Sequence, residues 1–218
     1  ASDLQYLWQV FMAGQKVVGL DSTSKDPSKF QLAPFSLATD VLYEIKLTVI
    51  IASTGKSAIA SVQIFIAPSP VVALIQGGSH RSMQVDNSLL LDGSKSYDKD
   101  RFAVTGRDAL LTFTWSCKQV LPVLRDTCAL NIDPAQLHDP ALLIRAGSQA
   151  SLTTSIITLQ VRGDQGKRFA LTTVKLHVLN ETAPIVTLIS KLGRSKLSVG
   201  SKLILEGTVA LQGVGNAV

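Results

Sequence analysis

The sequence predicts an all-β protein built of packed two-sheet sandwiches, and three observations carry that prediction. Apolar residues alternate with period two in nearly every apolar segment, as half-buried strands require. No stretch of about ten residues or more keeps the i, i+3, i+4, i+7 apolar stripe of an amphipathic helix. β-Branched residues concentrate where the alternation is strongest, and clusters of Gly, Ser, Asp and Pro separate the alternating segments.

Each element follows from that pattern. In Leu42 to Val49, the residues Tyr43, Ile45, Leu47 and Val49 share one face. In Ser57 to Ile66, Val62, Ile64 and Ile66 do the same. Between them, Ser53-Thr54-Gly55-Lys56-Ser57 looks like the tail of a phosphate-binding loop. The glycine such a loop needs five residues before Gly55 is Ile50, and an alternating strand follows rather than a helix. The segment is therefore a turn joining two strands. Leu111 to Trp115, Ser155 to Arg162 and Ala170 to Val178 complete the strand pattern, each alternating in turn.

Internal repetition turns these strands into domains. Pro184-Ile185-Val186-Thr187-Leu188-Ile189 follows its counterpart Pro70-Val71-Val72-Ala73-Leu74-Ile75 by 114 residues. Lys202 to Gly207 follows Ser88 to Gly93 by the same interval, without a gap. Leu159-Gln160-Val161 and Val174-Lys175-Leu176 lie 112 residues after Leu47-Thr48-Val49 and Val62-Gln63-Ile64, and Phe113-Thr114-Trp115 lies 107 after Tyr6-Leu7-Trp8. The expected organisation is the C-terminal part of one repeat at 1–67, a complete repeat at 68–182 and the opening strands of a third at 183–218. On this reading the chain begins and ends inside domains, as a window on a longer repetitive protein; the alternative, a 218-residue protein complete in itself, would need residues 1–67 to complete their sheet with residues 184–210.

Composition narrows the functional classes. The 218 residues are 46% hydrophobic, 6% aromatic and 17% charged, and an average globular protein carries about 25% charged residues. Mean hydropathy is +0.28, which excludes a disordered, highly solvated chain. The net charge of +5 is spread along the sequence with neither basic clusters nor interleaved aromatics, so no nucleic-acid partner is expected. Apolar runs such as Val49 to Ala52 fall far short of the ~18 residues of a membrane helix, and residues 1–5 have no signal-peptide pattern.

Ser88-Leu89-Leu90-Leu91-Asp92-Gly93-Ser94-Lys95-Ser96-Tyr97-Asp98-Lys99-Asp100, followed by Leu111-Thr112-Phe113-Thr114-Trp115-Ser116-Cys117, is similar to the L-D-G-S-x-S-x-D-x-D … F-x-W-x-C pattern of PKD repeats and receptor-for-egg-jelly (REJ) modules of the polycystin family. The resemblance extends through Ser155 to Val178 and back to Tyr6-Leu7-Trp8 and Leu37 to Tyr43. Two positions depart from it: Val10 stands where the second repeat has a cysteine, and Ser155 stands where the first repeat has Tyr43. The family implies tandem immunoglobulin-like sandwiches in extracellular stalks, polycystin-like receptors and mastigoneme-like ciliary filaments.

In an extracellular module of that kind, Cys117 and Cys128 are expected to close a disulfide loop, in preference to two free buried thiols. Neither His80 nor His138 lies at zinc-ligand spacing to the pair, and the spacing is not that of a redox CxxC. Asp92, Asp98 and Asp100 are the densest carboxylate group, a weak calcium candidate. The loop lacks the glycine and distal glutamate of an EF-hand, so turn capping by Asp92, Ser94 and Asp98 is the stronger expectation. Trp8 and Trp115, at corresponding strand positions, and Tyr43 read as core anchors, ahead of a sugar-stacking role for the tryptophans. Asn180-Glu181-Thr182 is the one glycosylation sequon. The scattered His80, His138 and His177, with no G-x-S-x-G, give no catalytic constellation.

The expected function is that of a non-enzymatic, cofactor-free structural segment of an extracellular or cell-surface protein. It would act as a stiff spacer that packs against repeats of the same or sister chains, in a ciliary-surface filament or a polycystin-like ectodomain. One alternative is a receptor or adhesion module that captures a protein or glycan ligand through loops 76–87 and 93–109. Another is an accessory module of a secreted hydrolase, where PKD repeats also occur.

Overall fold

The computed structural model describes residues 3–163, 166–180, 184–190, 200 and 202–210. These residues form an all-β protein. Two compact units divide the chain, Ala1–Ser69 with Asp100–Phe102 and Pro70–Lys99 with Ala103–Val218.

The first unit is built on one antiparallel sheet ordered β2-β1-β3-β4, with β1 at Leu4–Met12, β2 at Gln15–Lys16, β3 at Val41–Ile51 and β4 at Ser57–Ile66. Register places Tyr6, Trp8 and Val10 beside Val49, Leu47 and Ile45, and these beside Ala58, Ala60 and Val62. All nine therefore share one face. Val10, Tyr43 and Ile45 are buried there beneath Val17, Leu20, Phe30 and Leu37 of the long connection between β2 and β3. β4 departs from the expected half-burial: only Ile66 is shielded along its length. The alternation of β4 records which residues share a face, and it takes a second layer to bury that face.

The second unit is a two-sheet sandwich. Its short strands are β5 (Val71–Val72), β6 (His80–Gln84), β7 (Ser88–Asp92), β8 (Tyr97–Asp98), β10 (Asn131–Ile132) and β11 (Ala141–Arg145). Its long strands are β9 (Thr112–Leu121), β12 (Thr154–Gly163) and β13 (Arg168–Leu179). One sheet is ordered β6-β13-β12-β9 and the other β10-β11-β7, while β5 pairs with β8. Phe113, Trp115, Ile157, Leu159, Val161, Val174 and Leu176 from the first sheet meet Leu91, Leu142 and Ile144 from the second in one core. A hairpin of β14 (Ile185–Ser190) and β15 (Leu205–Ala210) is grouped with this unit.

The two long sheets repeat each other in register. Trp8 faces Leu47 as Trp115 faces Leu159, and Ile45 faces Val62 as Ile157 faces Val174. The order β1-β3-β4 is thus the order β9-β12-β13, and β6 has no counterpart beside β4 among the described residues. The counterparts of the opening strands also lie side by side: Ile189 faces Glu206 in the pair β14–β15, and in the second unit the Gln76 amide, one residue beyond the counterpart of Ile189, donates to the Asp92 carbonyl at 2.8 Å. No described helix is long and apolar enough to cross a membrane.

Candidate functional site

The carboxylate-rich loop between β7 and β9 holds its three aspartates on separate partners. Asp92 caps the turn, its Oδ1 accepting the Ser94 amide at 2.8 Å and its Oδ2 accepting from the Gln76 side chain. Asp98 instead is buried and accepts both Nη1 (3.0 Å) and Nη2 (2.7 Å) of Arg168, which enters from the start of β13. Asp100 is grouped with the first unit, where it accepts the Ser69 amide at 2.8 Å. Each of the three carboxylates has its own partner, and no described group of three or more His, Cys, Asp or Glu side chains is placed to hold a metal ion. Asp98 thus forms a fork-on-fork ion pair, the geometry in which Arg binds a carboxylate most strongly. No short-range spacing announces it, because Asp98 and Arg168 lie far apart in sequence.

Cys117 lies on β9 and Cys128 on the loop that follows it, with an isolated bridge between Gln119 and Arg125 inside the loop. Cys117 is bonded to Cys128 with Cα atoms 5.7 Å apart. Beyond it, the Gln119 and Arg125 backbones exchange hydrogen bonds of 3.0 and 3.1 Å, and Gln119 Nε2 donates to the Val123 carbonyl at 3.0 Å. The bond closes a loop of about twelve residues, for which chain entropy gives roughly 3 kcal/mol. Cys128→Ala is therefore expected to lower the stability of the second unit by about 2–4 kcal/mol, as read by urea unfolding. An unchanged midpoint would mean that the loop is held by its backbone bonds alone.

The aromatic anchors differ in depth. Trp115 is buried, and its Nε1 donates to the Asp139 carbonyl at 2.8 Å. Trp8 is half-buried, stacked on Phe30 at 5.3 Å between ring centres, with Nε1 donating to the Pro27 carbonyl at 3.0 Å. Tyr43 is buried, and its hydroxyl accepts the Ala38 amide at 3.0 Å. This bond ties the end of the connection from β2 to the strand β3 that carries Tyr43. Its counterpart Ser155 is also buried, but its Oγ has no hydrogen-bond partner. Removing an unsatisfied buried hydroxyl relieves a desolvation penalty, so Ser155→Ala should leave the melting temperature unchanged or raise it. A clear drop would reveal a bond to Ser155 that the structure does not show.

The remaining candidates are dispersed. His80 contacts Ser79 Oγ at 3.1 Å, His138 Nδ1 lies 3.3 Å from the Phe113 carbonyl, and His177 Nδ1 lies 2.9 Å from Thr154 Oγ1. Residues 76–87, read from the sequence as a loop, contain the strand β6, where Arg81 donates to the Gln76 carbonyl and burial pulls its guanidinium below its ordinary pKa. In the first unit, the Ser28 hydroxyl and then the Ser28 amide hold the exposed Asp26 carboxyl below its usual range. Its contribution is present above the unfolded value and fades as pH falls through the folded one. Gly55, at φ +69°, turns β3 into β4, its amide donating to the Ile51 carbonyl at 2.8 Å. Asn180 is exposed directly after β13, and Glu181 and Thr182 of its sequon lie outside the described residues.

Comparison with known proteins follows the same lines. The REJ domain family matches residues 1–207. Human polycystin-1 is 38% identical over 69 residues, which cover 32% of this chain and 2% of the length of that relative. Among solved structures, immunoglobulin domains 1–5 of Sidekick-1 are similar over 95% of this chain and 38% of theirs, at 14% identity and TM-score 0.35. Extracellular cadherin domains 1–5 of protocadherin gamma B2 are similar over 94% of this chain and 39% of theirs, at 10% identity and TM-score 0.36.

Proposed function

This chain belongs to the REJ domain family, and from that premise we propose that it is a non-enzymatic structural segment of a large extracellular repeat protein. It acts as a stiff spacer and assembly module, in a mastigoneme-like ciliary or cell-surface filament or in a polycystin-like ectodomain. Its organisation is that of successive repeats, with 1–67, 68–182 and 183–218 belonging to three of them. The observation that carries the reading is the family match over nearly the whole chain, from a family shared with polycystin-like proteins. The disulfide supports an oxidising compartment. The prolines of Ala67-Pro68-Ser69-Pro70 fix two φ angles and so limit flexing of the linker. Asn180 is proposed to carry an N-glycan, since it is exposed and heads the sequon.

An assembly module should carry apolar surface outside its cores. The outer face of the first sheet does so, with Leu7, Leu42, Ile59 and Phe65 exposed and Phe65 directly opposite Leu42. Charges placed there, as in Leu42→Asp with Phe65→Asp, are expected to leave the fold intact and prevent assembly of the parent protein, as seen by electron microscopy. Arg101→Ala and Arg107→Ala in the loop at 93–109 should leave assembly unchanged. The receptor alternative predicts the reverse, and loss of a soluble partner with the loop variants alone would replace this reading.

A further inference from the structure

Where β12 passes into β13, the second unit carries charges that its fold does not require. β12 ends on Arg162 and Gly163, and Asp164, which lies outside the described residues, follows them in sequence. The strands pair as far as Gly163 opposite Arg168, so residues 164–167 connect them. The corresponding stretch of the first unit, 112 residues earlier, reads Ile50-Ile51-Ala52 and leads from β3 to β4 in the same register, with Ile50 opposite Ser57 as Arg162 is opposite Phe169. That strand pair forms without either charge. Gly163 is buried, and a Cβ there would lie 3.0 Å from Val71 Cγ2 and 3.5 Å from Leu111 Cδ2, so the middle residue is seated against the core. Arg162 is exposed, with its guanidinium 5.9 Å from the centre of the Phe169 ring and its Nε donating to Gln160 Oε1 at 3.1 Å. It makes no ion pair among the described residues, whereas Arg168 across from Gly163 is taken up by Asp98.

We propose that Arg162-Gly163-Asp164 is a binding site for a metal-dependent adhesion receptor, a cell-surface protein whose pocket joins a bound divalent cation to an acidic group. A carboxylate is the hard oxygen ligand that completes the coordination of such a cation. A guanidinium pairs with the acidic group through two parallel hydrogen bonds, for which the Nη groups of Arg162 are available. The glycine between them keeps side-chain bulk off the contact and lets the receptor approach the backbone. Stacking on Phe169 holds the Arg162 side chain in advance, which lowers the ordering cost of binding. The disulfide of the same unit suits an encounter outside the cell. This site lies apart from the assembly surface of the first unit, and it acts whether or not the parent protein is a filament.

Fibroblasts should therefore adhere, in buffer containing Mn²⁺, to a surface coated with the 218-residue chain. EDTA or an excess of the free peptide Gly-Arg-Gly-Asp-Ser should release them, and Gly-Arg-Gly-Glu-Ser should not, because one added methylene carries the carboxylate off the cation. Asp164→Glu and Arg162→Gln should each raise the coating density for half-maximal adhesion by about tenfold or more, with an unchanged urea midpoint as the check on folding. Lys167→Gln, in the same connection, should leave adhesion as it was. Absence of adhesion would overturn the proposal, as would full adhesion of the Asp164→Glu chain. So would adhesion that survives EDTA and fades with added salt, the mark of a chain of net charge +5 held by anionic polymers of the cell surface.

Discussion

Trp115→Ala is expected to destabilise the second unit by about 3–5 kcal/mol, and the corresponding Trp8→Ala to cost the first unit only about 1–2 kcal/mol. The two residues occupy one register position, each directly opposite a leucine of the neighbouring strand. Their surroundings set the difference. Trp115 is 2% exposed and packed by both sheets, so its removal leaves a cavity and an unpaired Asp139 carbonyl. Trp8 loses a stacked contact with Phe30 and one exposed hydrogen bond, and water can occupy what it vacates. Urea-dependent hydrogen exchange reads the units separately, from the amides of β12 and β3. Equal losses in the two would mean that the first sheet is covered as completely as the second.

Arg168→Met should be as damaging, at about 3–5 kcal/mol, because it strands the Asp98 carboxylate in a buried site with its strongest partner gone. Asp98→Asn combined with Arg168→Met should recover part of that loss, since the uncompensated charge is then removed. Trp8→Phe provides the background for both measurements, as the sequence has two tryptophans and Trp115 then reports the second unit alone. A single variant no weaker than the double would show that Asp98 is solvated rather than held.

These two cases mark how far the sequence could be read. Period-two alternation placed β3, β4, β9, β12 and β13, because a strand with one core face repeats its chemistry at every second residue. The fixed intervals between repeats anticipated the matching registers, since aligned strands of equal spacing pair alike. The Asp98–Arg168 pair was not legible: it joins a short strand near the start of the unit to the first residue of its last strand, and only folding brings them together. Nor was the exposure of Val62 and Ile64, whose alternation is as regular as that of Val174 and Leu176. Pattern fixes the face a residue shares, and burial depends on what lies across from it. The connection between β2 and β3 shows the same limit, covering Val10 and Tyr43 with Phe30 and Leu37 but without a strand of its own.

The parallel pairing of β6 with β13 decides how the second unit responds to tension. All the other described strand pairs of the unit are antiparallel, whereas His80 to Gln84 run alongside Lys175 to Leu179 in the same direction. Force entering near Pro70 and leaving after Leu179 pulls these two strands past each other from opposite ends. The rungs between them, flanked by the Lys175 amide on the Ser79 carbonyl at 2.8 Å and the Val85 amide on the Leu179 carbonyl at 3.2 Å, are then loaded in shear, all at once. An antiparallel pair pulled from the same end opens one rung at a time. Rupture under load is governed by the unfolding rate rather than by equilibrium stability, so the direction of one five-residue strand sets the yield point of the whole unit.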